Sequence, residues 1–140
     1  MPDFRLFGDE HVRQYEATNG ATGYEWNGTK ILILRTIGRA SGELRKAPLI
    51  FGRDGADYLV VASKGGAPDH PGWYKNLVAH PDLEIQVKGD VVPVRARTAT
   101  AEEKARLWPL MTAEWPDYDK YQRSTPRDIP LVILSPRAKA

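Results

Sequence analysis

Apolar positions in this chain fall into strand-like runs separated by segments with helical spacing. "TKILILRTIG", 29–38, is rich in β-branched residues and leucine and closes on glycine, which predicts a strand. "RKAPLIFGRDGADYLVVAS", 45–63, holds two such runs joined by Asp54-Gly55, a strong hairpin signal. "DLEIQVKGDVVPVRARTAT", 82–100, repeats the pattern with its turn expected at Gly89-Asp90, and "IPLVIL", 129–134, is the last strand. Val12 and Tyr15 lie at helical spacing within 9–18, a helix stopped by Asn19-Gly20. "NGATGYEWNG", 19–28, reads as turns. A further helix starts at Pro71, where a missing N–H costs nothing, and stops before Pro81. Thr100 followed by Glu103 is a capping-box signature for another, running towards Met111 and perturbed at Pro109.

About six strands with short turns and few helices make the fold mainly β with flanking helices (α+β). They predict a small antiparallel barrel rather than a parallel βαβ sheet. No GxGxxG or P-loop supports a doubly wound nucleotide fold. The 140 residues suit one domain, with 1–23 as an N-terminal helical arm.

Composition narrows the function. Twenty basic residues against 18 acidic ones leave a net charge of +2, too balanced for a general nucleic-acid surface, so any basic site must be local. With no cysteine, disulfides, iron–sulfur clusters, thiolate metal sites and cysteine nucleophiles are excluded, and the cell interior fits. No apolar run approaches the ~20 residues that cross a bilayer, and the acidic N-terminus is not a secretory signal. Phe4, Leu6 and Phe7 leave peripheral membrane contact open, with packing on the domain as the plainer reading.

Two stretches carry candidate chemistry. In "RTIGRASGELR", glycines flank Arg39 and Ser41 with Arg45 just beyond; converging backbone N–H groups and guanidinium forks suit an anion, although a solvated hairpin tip fits as well. In "VVASKGG", a strand ends at Ser63 and turns through Lys64-Gly65-Gly66, so a flat ring could reach the backbone. Trp73 and Asn76 on the next helix can border the same space. Trp115, Tyr118 and Tyr121 recur at intervals of three, either covering the barrel mouth or walling a substrate pocket. His11, His70 and His80 have no metal-ligand spacing and are read as non-ligands.

The segments "TIGRASGELRKAPLIF", "DGADYLVVASKGGAPDHPGWYKNLVAHPDLEIQV", "ARTATAEEKARLWPLM" and "WPDYDKYQRSTPRDIPLVILSP" together resemble the deazaflavin-dependent nitroreductase family of actinobacteria, over residues 24–136. ASKGG, HPxWYxNL and TxRxIP are the most specific pieces. The resemblance implies a split β-barrel of the flavin-reductase, FMN-binding-like kind that binds coenzyme F-420, an 8-hydroxy-5-deazaflavin with a phosphate and a glutamate tail. It places the anion contacts on Arg39, Ser41, Arg45 and Lys46. Ring contacts fall on Pro48, Ala62, Ser63, Lys64, Gly65, Trp73 and Asn76, and the acceptor pocket on Ile50, Trp115, Tyr118 and Tyr121. Ser63, Tyr118 and Tyr121 are the catalytic candidates.

The implied activity is hydride transfer from the reduced deazaflavin to quinones, activated enones or nitroaromatics, with no metal. The alternatives are a deazaflavin- or flavin-binding protein without turnover and an FMN oxidoreductase on the same barrel. The expected partner is a small hydride acceptor, not nucleic acid; a monomer or weak dimer in the cytoplasm, or at the membrane periphery, is expected. Ala40 stands where the family often has lysine, Ile50 where it often has an aromatic, and Trp115 where its nitroimidazole-activating member has tyrosine, so nitroimidazole turnover does not follow from the resemblance.

Overall fold

The computed structural model describes residues 6–137; Phe4 lies outside them. Helix α1 (Gly8–Thr18) precedes strands β1 (Glu25–Trp26), β2 (Thr29–Ile37), β3 (Leu44–Ile50), β4 (Gly52–Asp54) and β5 (Asp57–Val61). A 3-10 turn at Lys64–Gly66 leads into α2 (Gly72–Ala79), then β6 (Asp82–Val87) and β7 (Asp90–Thr98). Helices α3 (Ala101–Glu114) and α4 (Asp117–Arg123) come before the last strand, β8 (Leu131–Pro136).

All pairings are antiparallel, and the ladder runs β3-β2-β6-β7-β8-β5-β4 with β1 on the start of β2. The two edges, β3 and β4, are separated in the chain by Phe51 alone, so the sheet curls and the covalent chain joins its edges where hydrogen bonds do not. This is the split barrel.

The central strands are nearly continuous in their apolar residues because both faces are covered. Leu32 and Leu34 of β2 point into the barrel with Val60 of β5 and Val132 and Leu134 of β8. Their chain neighbours Ile31 and Ile33 meet Val12 and Tyr15 of α1 on the outside. Leu59 and Val61, with Leu131 and Ile133, meet Leu107, Met111 and Tyr118 of α3 and α4. Three apolar clusters therefore sit back to back through one sheet.

Several elements differ from the sequence expectation. The "turn" segment contains β1, which pairs through the Asn27-Gly28 turn with Thr29 and Lys30. The run at 45–54 breaks at Phe51 into β3 and β4, making eight strands. Val87 pairs with Asp90, so the β6–β7 turn is Lys88-Gly89, with Lys88 taking a left-handed φ of 55°. Strand β8 starts two residues late, since Pro130 has no N–H for a ladder and instead accepts from the Ala62 N–H at 2.9 Å. Pro71 is the N-cap of α2 rather than its first turn. The capping box of α3 is present, and the helix passes through Pro109 to Glu114 because fully buried Leu107 and Met111 pin it on both sides.

Candidate active site

Two clefts adjoin along Trp73. One, of about 450 Å³, lies between α2 and the hairpin joining β2 to β3, and Arg39, Ser41, Arg45, Lys46 and Asn76 line it. The other, of about 350 Å³, opens between the Ser63–Gly65 loop, the end of β3 and the aromatic residues of α4. Pro48, Ile50, Ser63, Lys64, Gly65, Trp115, Tyr118 and Tyr121 all line this second cleft. One charge-bearing groove thus meets one apolar slot, and Trp73 belongs to both.

The hairpin is tight for identifiable reasons. Gly38 N–H donates to the Glu43 carbonyl (2.7 Å), Gly42 N–H to the Gly38 carbonyl (2.8 Å), and Gly42 has φ 73°. A Cβ on Gly38 would lie 2.5 Å from the Ser41 hydroxyl, so a side chain there would turn Ser41 away from its bond to the Glu43 N–H. Ser41 Oγ also accepts from the Glu43 N–H (3.1 Å). Asn76, buried, accepts from the Arg39 backbone N–H (3.1 Å) and Nη1 (2.9 Å) and donates to Thr36 (3.3 Å). Its carbonyl oxygen holds Arg39, and its amide group lines the cleft with one N–H bonded to Thr36. Lys46 pairs with Glu16 at 2.8 Å, and Arg45 lies exposed 3.5 Å from Glu43.

The loop after β5 carries left-handed φ values at three successive residues: Lys64 47°, Gly65 64° and Gly66 82°. Gly66 N–H and Ala67 N–H fold back onto the Ser63 and Lys64 carbonyls at 2.9 and 3.1 Å. A Cβ on Gly65 would meet nothing within 4 Å, which leaves the backbone accessible from the cleft. A Cβ on Gly66 would strike Ser124 at 2.3 Å and the Tyr121 carbonyl at 2.9 Å. Ala62 lines neither cleft: its side chain is fully buried, and its carbonyl accepts from Arg127.

The two phenols differ. Tyr118 is buried, and burial first, then the neighbouring Tyr121 and Glu114, pushes its pKa up, so it holds its proton tightly. Tyr121 is half-buried and accepts from the Trp115 indole N–H at 3.3 Å, which leaves its own hydroxyl proton free to be given elsewhere. Phe7, His11 and Trp26 complete the apolar wall. Trp26 stacks on Trp115 at 5.6 Å, and His11 gives its Nε2 to the Gly23 carbonyl at 2.8 Å. None of the three was singled out for the site from the sequence; Trp26 was hidden in what reads as a turn. Arg127 was also missed, although it lies inside the TxRxIP signature. It donates to the carbonyls of Ala62, Ser63 and Ala67. Among the described residues no cluster of potential metal ligands occurs, and no helix is long and apolar enough to cross a membrane.

A split barrel with a cationic groove leading into an aromatic slot is the architecture of an oxidoreductase that works with a flavin-type cofactor. Residues 7–136 match the family model described as F420H(2)-dependent quinone reductase, and the chain belongs to that family. A relative from Mycobacterium tuberculosis, named as an F420H(2)-dependent quinone reductase, is 40% identical over 131 residues, covering 91% of this chain and 88% of the relative. The solved "F420-H2 Dependent Reductase (FDR-A)" is 39% identical, with a TM-score of 0.70 over 75% of this chain and 93% of that one. A chain described as a domain-swapped dimer is 35% identical, with a TM-score of 0.73 over 90% and 92%. HutZ, the haem storage protein of Vibrio cholerae, shares only the fold, at 15% identity and a TM-score of 0.60 over 96% and 93%.

Proposed function

We propose that this protein binds coenzyme F-420 across its two clefts and transfers hydride to a quinone-type acceptor, with activated enones and nitroaromatics as further acceptors. The observation that carries this reading is the junction at Trp73, where Arg39, Arg45 and Lys46 line one cleft and mostly aromatic and aliphatic side chains, with Lys64 and Ser63 among them, line the other. That division fits a flat ring with an anionic tail. The open space at the missing Gly65 side chain is a second point of fit, because a ring edge can reach the backbone there.

When bound, the reduced deazaflavin supplies a hydride from its ring carbon. The protein's own part is placement and charge. Arg39, held by Asn76, and Arg45, Lys46 and Ser41 grip the anionic end. Pro48, Ser63, Lys64, Gly65 and Trp73 line the cleft and would border the ring. Ile50, Trp115 and Tyr118 exclude water from the acceptor slot. Tyr121 gives the acceptor oxygen a hydrogen bond and then a proton, since its oxygen already takes the Trp115 N–H. Among the described residues one chain lines both clefts, and a monomer or weak dimer is the assembly we propose. Phe7, 66% exposed at the edge of the slot, supports peripheral contact with a membrane that holds lipid-soluble acceptors.

The test is parallel fluorescence titration of the purified protein with oxidised coenzyme F-420 and FMN, followed by mixing the reduced deazaflavin with menadione. Selective deazaflavin binding and rapid menadione-dependent oxidation are expected. Preference for FMN, or binding of neither, would overturn the reading; binding without oxidation would make the protein a carrier.

A further inference from the structure

Arg127, in the segment ahead of β8, closes the cofactor loop from behind. Its Nε donates to the Ala67 carbonyl at 2.8 Å, Nη1 to Ala62 at 3.2 Å and Nη2 to Ser63 at 2.6 Å. One planar cation therefore gathers three carbonyls of a single loop, a geometry that a lysine's point charge does not reproduce. The same loop holds the strained, left-handed Lys64 and the glycines beside the ring cleft, so its shape depends on this grip.

Nη1 also lies 3.0 Å from His70 Nδ1. A guanidinium does not give up its proton, so His70 Nδ1 is the acceptor and the ring is the neutral Nε2–H tautomer. Protonation of Nδ1 would remove that acceptor and set two cations against each other at the same distance. The other groups facing His70 come from its own segment and from α2. Asp69 takes the Lys75 ammonium at 2.8 Å and the His70 backbone N–H at 3.0 Å, Lys64 lies near Asp69, and the Tyr74 ring is 4.9 Å from the imidazole. Burial, then Arg127 and Lys75, hold the imidazole below its ordinary pKa against the opposing pull of Asp69.

We propose that Arg127 is the positioning residue of the cofactor loop and that His70 makes its grip proton-sensitive, so that uptake of one proton loosens the loop and weakens binding of the anionic cofactor. This rests on the deazaflavin reading only in the identity of the ligand. The sign follows from linkage: the gripped loop holds a neutral imidazole and so binds fewer protons, and acid favours the loosened loop. Reciprocally, bound cofactor makes His70 harder to protonate.

Two measurements on the full chain test it. Without any cofactor, the backbone amide signals of residues 63–67 are followed by NMR from pH 8 to 5, alongside the His70 ring. In parallel, oxidised coenzyme F-420 is titrated over the same range into wild type, His70→Asn and Arg127→Lys. The side-chain amide introduced by His70→Asn keeps an accepting oxygen near the Nδ1 position but cannot titrate, so any pH dependence that variant shares with wild type belongs to the ligand. The loop amides should titrate with His70 in wild type and stay flat in His70→Asn. Wild type should lose about tenfold more affinity than His70→Asn between pH 7.5 and 5, the worth of one charge-assisted hydrogen bond. Arg127→Lys should bind more weakly at every pH while remaining folded at the temperature of the titration. Loop amides that ignore His70, or identical pH profiles for wild type and His70→Asn, would overturn the proposal. Amides that titrate in a protein that never binds the deazaflavin would leave the grip standing and reject the cofactor reading instead.

Discussion

Gly65 and Gly66 are adjacent, both left-handed at φ 64° and 82°, yet their surroundings are opposite. Replacing either by alanine costs about 1–2 kcal/mol from the left-handed backbone alone. At Gly65 nothing lies within 4 Å of the new methyl, so the loss should stop there. At Gly66 the methyl meets Ser124 Oγ at 2.3 Å and the Tyr121 carbonyl and Cα at 2.9 and 3.1 Å. The first contact can rotate away, but the backbone of α4 cannot, which adds about 1–3 kcal/mol of overpacking. For a chain of this length each kcal/mol shifts the melting temperature by roughly 3–4 °C. Gly66→Ala should therefore melt about 10 °C below wild type, and Gly65→Ala about 5 °C below. Circular dichroism melts measure this, and cofactor titration of the folded variants separates the functions: Gly65→Val should block the ring cleft, whereas Gly66→Ala should disturb turnover through Tyr121. Equal melting losses in the two alanine variants, or normal cofactor affinity in Gly65→Val, would refute the reasoning.

Arg39→Ala should weaken coenzyme F-420 binding by roughly ten- to hundredfold, and Asn76→Ala should do part of the same damage by releasing the hairpin; calorimetric titration checks both. Tyr121→Phe should lower turnover of menadione by about a hundredfold with cofactor affinity unchanged, and Tyr118→Phe far less, which stopped-flow oxidation of the reduced cofactor distinguishes. Glu103, gripped by Arg97 at 2.7 Å and by the Thr100 N–H, has its pKa lowered to about 2, Arg97 being the larger cause. A depressed carboxylate contributes stability that is complete above its unfolded value and fades as pH falls through about 2. The melting-temperature gap between wild type and Glu103→Gln should accordingly close on going from pH 6 to pH 2.

Much of this was legible because long apolar runs and caps are local signals. The β2 run, the Asp54-Gly55 hairpin and the Thr100–Glu103 box each declare themselves within ten residues. Strand β1 escaped because two residues cannot show a period, and α4 because its aromatic row hides a seven-residue helix behind Pro116. The residues that type and the family resemblance single out line one cleft or the other, except Ala62. What type does not reveal is how a side chain spends its hydrogen bonds. Asn76, expected to contact the ring, lines the cleft and also holds Arg39, while Arg127 looks like a signature residue and holds carbonyls some 60 positions away. No periodicity encodes a contact of that range.

The three apolar clusters also bear on how the enzyme can change. The barrel interior is filled by one set of side chains, whereas the lips of the acceptor slot belong to the two outer clusters, through Trp26 and Ile50 on one side and Trp115 and Tyr121 on the other. A substitution at a lip falls on the outer clusters, which meet through the Trp26–Trp115 ring contact, and lies outside the cluster that fills the barrel. On the proposed reading, acceptor preference can drift by single steps while the cofactor groove and the barrel that frames it persist, and a library confined to Trp26, Ile50 and Trp115, with Tyr121 kept for proton transfer, would sample new acceptors at little risk to the fold.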